Sequence, residues 1–160
     1  MSIELVQDYR DLVKGFGDLA GTISPKMLKI SPIEGEWSAA FIIHHLSDAE
    51  LHFATRYMWI LTAENPPIVP FEEEVYPLKL NYLVRDPNLS LKSLLAVSSM
   101  VGDILGQVSQ VDWQRKCIHS DRGEITLQEV LQTSRNHVKA HIDQLEQVLV
   151  KLDPSKAEFI

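Results

Sequence analysis

The sequence predicts an all-α protein, a four-helix bundle with long crossover connections. Four segments repeat apolar residues at steps of three and four, which is the period of a helix with one buried face. Its 160 residues are 45% hydrophobic and 23% charged, an ordinary globular composition. That length suits one domain over residues 1–160. The four predicted helices cover residues 2–22, 38–63, 90–108 and 126–151.

The ends of the first two helices have recognisable start and stop residues. Three glycines weaken the apolar stripe of the first helix, and Pro25 ends it. Ser38 is a good N-cap for the second helix, because its hydroxyl can accept an unpaired amide of the first turn. Pro66 and Pro67 stop that helix.

The last two helices follow from their apolar stripes. The third begins at about Ser90 and has a wide apolar stripe from Leu91 to Val108. The fourth begins at Thr126, where Thr126 and Glu129 fit a capping box in which each side chain satisfies a backbone amide of the other.

Two connections are too long for simple hairpin loops. Residues 65–89 contain five prolines, which exclude a continuous helix, and enough aromatic and aliphatic residues to predict an ordered strap. Its acidic run, residues 72–74, is typical of a solvated face. Residues 112–124 predict an irregular crossing with short extended pieces. A bundle with two such connections is not expected to be simply up-down-up-down.

Composition also excludes several classes of protein. Fifteen basic and twenty-two acidic residues give a net charge of −7, and no long basic run favours nucleic acid. The single cysteine, Cys117, permits no internal disulfide, which favours a reducing compartment. The N-terminus lacks the pattern of a secretory signal, and polar residues interrupt the longest apolar stretch. We therefore expect a cytoplasmic protein with no membrane partner.

Histidines supply the candidate chemistry. His137 and His141 are four residues apart on the fourth helix, so both imidazoles can reach one metal ion or can simply share a helix surface. A third ligand should come from the second helix, which contains His44, His45 and His52. His45 lies well inside the apolar sector, and spacing alone prefers it only slightly over the other two.

The order and spacing of four strings in this chain are specific. The strings are EWSAAFIIHHLSDAE, ENPPIVPFEE, DWQRKCIHSDRGEITLQEVL and NHVKAHIDQL. Together they resemble the YfiT-type branch of the DinB-like superfamily over residues 37–145. The resemblance implies a four-helix bundle that holds a divalent metal through His45, His137 and His141. The chain departs from that pattern near the last two histidines, which predicts a more polar pocket. The departing residues are Ser134, Asn136, Ala140 and Gln144.

Three neutral imidazoles would leave a metal ion with an open position, the pattern of catalytic rather than structural sites. Such an ion activates water or a bound thiol. We expect Zn or Ni, with Mn, Fe and Co as alternatives. The resemblance implies a low-molecular-weight thiol S-transferase or a metal-dependent hydrolase acting on a small molecule, and a homodimer. The alternative is a non-catalytic metal-binding protein of the stress response.

Two further residues lie in the strings that resemble the family, or match its pattern, and are candidate catalytic residues. Asp48 follows His45 by three positions, so it could orient that ring, hold the metal-bound water or act as a base; a helix-surface charge is the alternative. Arg56 could hold a substrate carboxylate or pair with Glu72. His119 either bonds the loop backbone or lines the pocket mouth.

Overall fold

The computed structural model describes residues 2–153 and contains the four predicted long helices. Two one-turn α-helices and one 3-10 turn (Asp112–Gln114) lie between them, and the labels α1 to α6 number the α-helices in chain order. The long helices are α1 (Ser2–Gly21), α3 (Ala39–Thr62), α5 (Pro87–Gly106) and α6 (Leu127–Leu152), and the short ones are α2 (Pro25–Leu28) and α4 (Tyr76–Lys79).

The observed helix starts follow from capping chemistry. The Ser38 hydroxyl accepts the amide of Phe41 at the start of α3, and both halves of the Thr126–Glu129 capping box are present at α6. Helix α5 begins at Pro87, three residues earlier than predicted. The reason is a cap that the apolar stripe does not reveal: the Asp86 side chain accepts the amide of Asn88, and Pro87 suits a first helical position.

The long helices are not arranged in simple sequence order. Helix α1 packs mainly against α5 and α6, and α3 packs mainly against the same two helices. Consecutive long helices, α1 with α3 and α5 with α6, therefore lie diagonally across the bundle. This confirms the predicted four-helix bundle with long crossover connections, because a diagonal neighbour cannot be reached by a tight turn. The crossovers are residues 22–38 and 107–126, whereas the long connection after α3 joins two helices that pack side by side, α3 and α5.

Helices α1 and α5 pack closely where a glycine leaves room. A Cβ atom on Gly17 would lie 2.8 Å from Cδ2 of Leu95, so a larger residue would force that side chain to move. The glycines that weaken the stripe of α1 do not interrupt the helix, which is continuous from Ser2 to Gly21 and buries Tyr9, Val13 and Phe16 in the core.

The connection after α3, residues 65–86, is ordered and is called the strap below. Its early part joins the hairpin of β1 (Lys116–His119) and β2 (Gly123–Thr126): the amide of Ile68 donates to the carbonyl of Ile118 at 3.0 Å. The antiparallel hairpin supplies the short extended pieces predicted for the crossing. Arg115, beside it, donates to the carbonyls of Ile60 and Ala63 and so caps the C-terminal end of α3.

Within residues 2–153, α5 is the one helix long and apolar enough to cross a membrane by length and composition. Length and apolar composition alone do not identify a membrane-spanning helix, because core helices of helical bundles share them. Helix α5 packs against both α1 and α3. The expected absence of a membrane partner stays a prediction.

Candidate metal centre

Helices α3 and α6 bring the three predicted histidines together. The Nε2 atom of His137 lies 3.1 Å from Nε2 of His45 and 3.1 Å from Nε2 of His141. One ring nitrogen from each residue falls within a group no more than 4.8 Å across. The helices run antiparallel here, since Glu50, further along α3, lies beside Ser134, earlier on α6.

This cluster fits a metal ion better than it fits hydrogen bonds among the rings. Ligand atoms about 2.0–2.1 Å from a tetrahedral ion lie about 3.3 Å from one another, close to the observed separations. His137 Nε2 faces two nitrogens but has place for only one proton, so hydrogen bonding cannot satisfy both contacts. A cation bound by three lone pairs would satisfy all three rings at once.

Burial keeps the three imidazoles in the form that binds metals. Desolvation lowers the pKa of His45 to about 3, with a smaller contribution from the proximity of His141. It also lowers the pKa of His137 to about 3, where both neighbouring histidines add to the effect. The pKa of His141 is lowered by the same desolvation. All three rings are therefore neutral at pH 7, with lone pairs available.

Gln144 fixes the tautomer of one candidate ligand. The Nδ1 atom of His141 donates to Oε1 of Gln144 at 2.8 Å, which leaves the lone pair on Nε2, facing the other histidines. By contrast, Nδ1 of His45 is buried without a hydrogen-bond partner in the described chain. Gln144 is one of the positions where the sequence departs from the family pattern, and here it has a defined structural role.

Aromatic rings enclose the histidine cluster on two sides. Trp37 lies 5.0 Å from His45 and is nearly parallel to His141, at 6.5 Å between ring centroids. Phe71 of the strap lies 5.4 Å from His45. Trp37 is therefore a wall of the candidate site.

A cavity of about 470 Å³ opens beside the cluster. His141 is part of its wall, so a molecule in the cavity would lie against one of the three histidines. Oε2 of Glu73, another wall residue, lies 3.8 Å from Nε2 of His45. The lining residues are Gly35, Glu36, Trp37, Glu73, Glu74, His141, Gln144, Gln147, Val148 and Lys151. Lys151 binds both carboxylate oxygens of Glu36.

The structure places Asp48 in a different set of contacts from the histidines. Its two carboxylate oxygens accept hydrogen bonds from Nη1 and Nη2 of Arg85, each at 2.8 Å, and the hydroxyl of Tyr82 donates to it at 2.7 Å. Asp48 is buried, so the alternative of a helix-surface charge is wrong. Its contacts anchor the strap to α3, and its catalytic role stays a prediction.

Arg56 also contacts the strap. Its Nη2 donates to the carbonyl of Val69 at 2.8 Å, and its guanidinium lies 5.1 Å from the centre of the Phe53 ring. The alternative pairing with Glu72 is not recorded in the described chain. His52, on the same helix, is hydrogen-bonded to the hydroxyl of Tyr76. The predicted substrate-binding role of Arg56 stays a prediction.

The remaining histidines are occupied elsewhere. His44 is buried and its Nδ1 lies 2.8 Å from the hydroxyl of Ser90 on α5. Nδ1 of His119 accepts a hydrogen bond from the amide of Asp121. His119 therefore bonds the loop backbone, which is one of the two roles predicted for it. Cys117 is buried and free.

Sequence reasoning missed the carboxylate nearest to the histidines. Glu73 belongs to an acidic run whose composition predicts a solvated face, and its side chain is indeed 60% exposed. Composition could not reveal that the strap carries it back over α3. The string ENPPIVPFEE, one of the four that carry the family resemblance, ends at Glu73.

Comparison with family models identifies the family of this chain. A family model described as the DinB superfamily matches residues 6–145. The chain belongs to the DinB superfamily. This confirms the family predicted from the four sequence strings.

Relatives of this DinB-superfamily protein include proposed metal-dependent hydrolases. One from Oceanobacillus iheyensis is 23% identical, with 94% of this chain and 87% of the relative covered. YfiT from Bacillus subtilis is 29% identical, with 70% and 65% covered.

Solved structures show the same fold. The structure of Bacillus subtilis YfiT, described as having an unusual four-helix bundle topology, matches with a TM-score of 0.84 at 21% identity, covering 94% of this chain and 87% of YfiT. A mycothiol-dependent maleylpyruvate isomerase matches with a TM-score of 0.75 at 14% identity. The match covers 91% of this chain and 60% of the isomerase chain.

Proposed function

We propose that this protein binds one divalent metal ion through His45, His137 and His141 and is a metal-dependent enzyme acting on a small molecule. The observation that carries the proposal is the convergence of three neutral imidazole nitrogens beside an open cavity. A site that served only to join α3 and α6 would have no need of such an opening.

A bound ion would supply Lewis acidity at an open position that takes water or a thiol. The chain itself would orient and shield the reaction. Gln144 holds His141 in the required tautomer, and Trp37 and Phe71 keep bulk water from two sides of the cluster. The cavity admits a small molecule rather than a polymer, since its volume is about 470 Å³.

This proposal is compatible with two reaction classes, hydrolysis and thiol S-transfer. Hydrolysis is supported by the proposed metal-dependent hydrolase activity in the names of the relatives. Thiol S-transfer with a low-molecular-weight thiol is supported by the shared fold of an isomerase whose name states mycothiol dependence. A thiol and an electrophile must both reach the site for transfer, whereas hydrolysis needs one substrate and water. The expected homodimer and cytoplasmic location stay predictions.

Metal analysis tests the ligand set first. We expect purified protein supplemented with Zn or Ni to hold about one ion per chain, and His137→Ala to hold none after dialysis. His119→Ala is the matched control, because His119 bonds the hairpin loop instead. A metal-free wild type, or equal metal loss in both variants, would contradict the proposal.

Turnover then separates the reaction classes. Metal-loaded protein is mixed either with an ester panel alone or with a thiol panel and a haloaromatic electrophile. Turnover abolished by His45→Ala identifies an enzyme, and dependence on thiol identifies the transferase. Stoichiometric metal without turnover in either assay would favour the alternative, a non-catalytic metal-binding protein of the stress response.

A further inference from the structure

We infer that Glu73 is a fourth, displaceable ligand of the metal ion, which the strap supplies and which the substrate must replace. This inference rests on the proposed function, because it assumes an ion held by the three histidines. It assigns a role to a residue outside the four helices. It also means that the fourth position of the ion is open only when the Glu73 side chain of the strap has left it.

The position of the carboxylate supports this role. Oε2 of Glu73 lies 3.8 Å from Nε2 of His45, compared with about 3.3 Å expected between neighbouring ligand atoms of a tetrahedral ion. Within residues 2–153, Glu73 is the one carboxylate recorded within ion-pair distance of the three histidines. Carboxylate oxygen is an accepted zinc ligand. Glu73 lies outside the group of three histidine nitrogens within 4.8 Å of one another, so its exposed side chain must rotate toward the ion to bind it.

The backbone that carries Glu73 is held in place. The amide of Glu73 donates to the carbonyl of Phe71 at 3.0 Å, which closes a tight turn. The Phe71 ring then packs among His45, His52 and Tyr76, with centroid distances of 5.4, 4.9 and 4.6 Å. The turn is therefore fixed against α3 and presents the Glu73 side chain to the cluster.

The side chain itself is free to leave. It is 60% exposed and lies in the wall of the cavity, so displacement needs no opening of the core. A held backbone with an exposed carboxylate fits a ligand that is bound at rest and released when an anion or thiolate enters. The three histidines, held on helices, would remain bound throughout.

Cobalt(II) provides a direct test, because its visible absorption reports the ligands of the ion. The proteins compared are wild type, Glu73→Gln and the matched control Glu72→Gln, which removes the same charge one residue away. The Kd for cobalt is measured by competition with a chelator. Azide is then titrated into the cobalt-loaded proteins, and circular dichroism verifies that each variant is folded.

We expect Glu73→Gln to weaken cobalt binding at least about tenfold and to bind azide more tightly than wild type, because no ligand must be displaced. Glu72→Gln should behave as wild type. Equal behaviour of the two variants would overturn the inference, as would weaker azide binding in Glu73→Gln. Failure of wild type to bind cobalt, or equal binding by His137→Ala, would instead overturn the proposed function.

Discussion

At the scale of single residues, Gln144 shows how one hydrogen bond can prepare a ligand. Its Oε1 accepts a hydrogen bond from Nδ1–H of His141, so the free lone pair of that ring is on Nε2 and points to the other two histidines. His45, in contrast, has a buried Nδ1 without a hydrogen-bond partner in the described chain. The three candidate ligands therefore differ in how firmly their tautomers are held.

We expect Gln144→Ala to weaken metal binding about 10- to 100-fold, because His141 then loses the partner that orients it. Chelator competition measures the Kd. Gln147→Ala is the control, since Gln147 lines the same cavity. Equal Kd values for the two variants would show that Gln144 does not prepare the site.

At the scale of elements, the strap depends on its attachment to α3. Asp48 accepts two hydrogen bonds from Arg85 and one from Tyr82, while Arg56 donates to the carbonyl of Val69 nearer the start of the strap. Phe71 and Glu73 lie between these two attachments. The two residues predicted to be catalytic thus hold the segment that covers the histidines.

Breaking the main attachment should lower stability. We expect Asp48→Asn to reduce the free energy of unfolding by about 2 kcal/mol, a value moderated by the partial exposure of Arg85. Urea denaturation measures the loss. Arg85→Gln should lose a similar amount, since it removes the same pair.

The same two variants test the predicted catalytic role of Asp48. If Asp48 acts only as an anchor, both variants should lose activity to a similar extent. A large loss of turnover in Asp48→Asn, with stability unchanged and Arg85→Gln active, would support catalysis by Asp48 instead.

At the scale of the whole molecule, a buried carboxyl connects helices across the bundle. The hydroxyl of Tyr9 on α1 donates to Glu50 on α3, the diagonal partner of α1, and Ser134 on α6 contacts its other oxygen at 3.5 Å. Tyr57 also lies near this carboxyl. Desolvation raises the pKa of Glu50 to about 7, although the hydrogen bonds from Tyr9 and Ser134 oppose the rise.

This burial should make stability depend on pH. Below the ordinary pKa of 4.5, Glu50 is protonated in both states and burial costs no ionisation energy. Between pH 4.5 and about 7 only the unfolded state ionises, so the free energy of unfolding falls, by about 3 kcal/mol in total.

The variant Glu50→Gln should remove that pH-dependent loss. The measurement is the difference in free energy of unfolding between wild type and variant, taken from pH 4 to 8. We expect wild type to lose stability relative to Glu50→Gln as pH rises, whereas the exposed-site control Glu34→Gln should follow wild type. A constant difference across this range would contradict the assignment of a raised pKa.

The accuracy of the sequence predictions varied with the range of the interactions involved. Helix ends at Ser38 and Thr126 were predictable because a cap satisfies amides within one turn. The start of α5 was placed three residues late because its cap, Asp86, precedes the apolar stripe. The contacts of Asp48 and Glu73 were not predictable, since each depends on where the strap passes over α3.

The sequence by itself determined the four long helices, the ordered strap and the three histidines as candidate ligands. Periodicity, caps and prolines act within a few residues, so their effects can be inferred without a fold. Only the tertiary structure decided that α1 lies diagonal to α3, that three Nε2 atoms converge and that Glu73 approaches them. These features depend on packing between residues far apart in the chain, where small displacements decide which side chains meet.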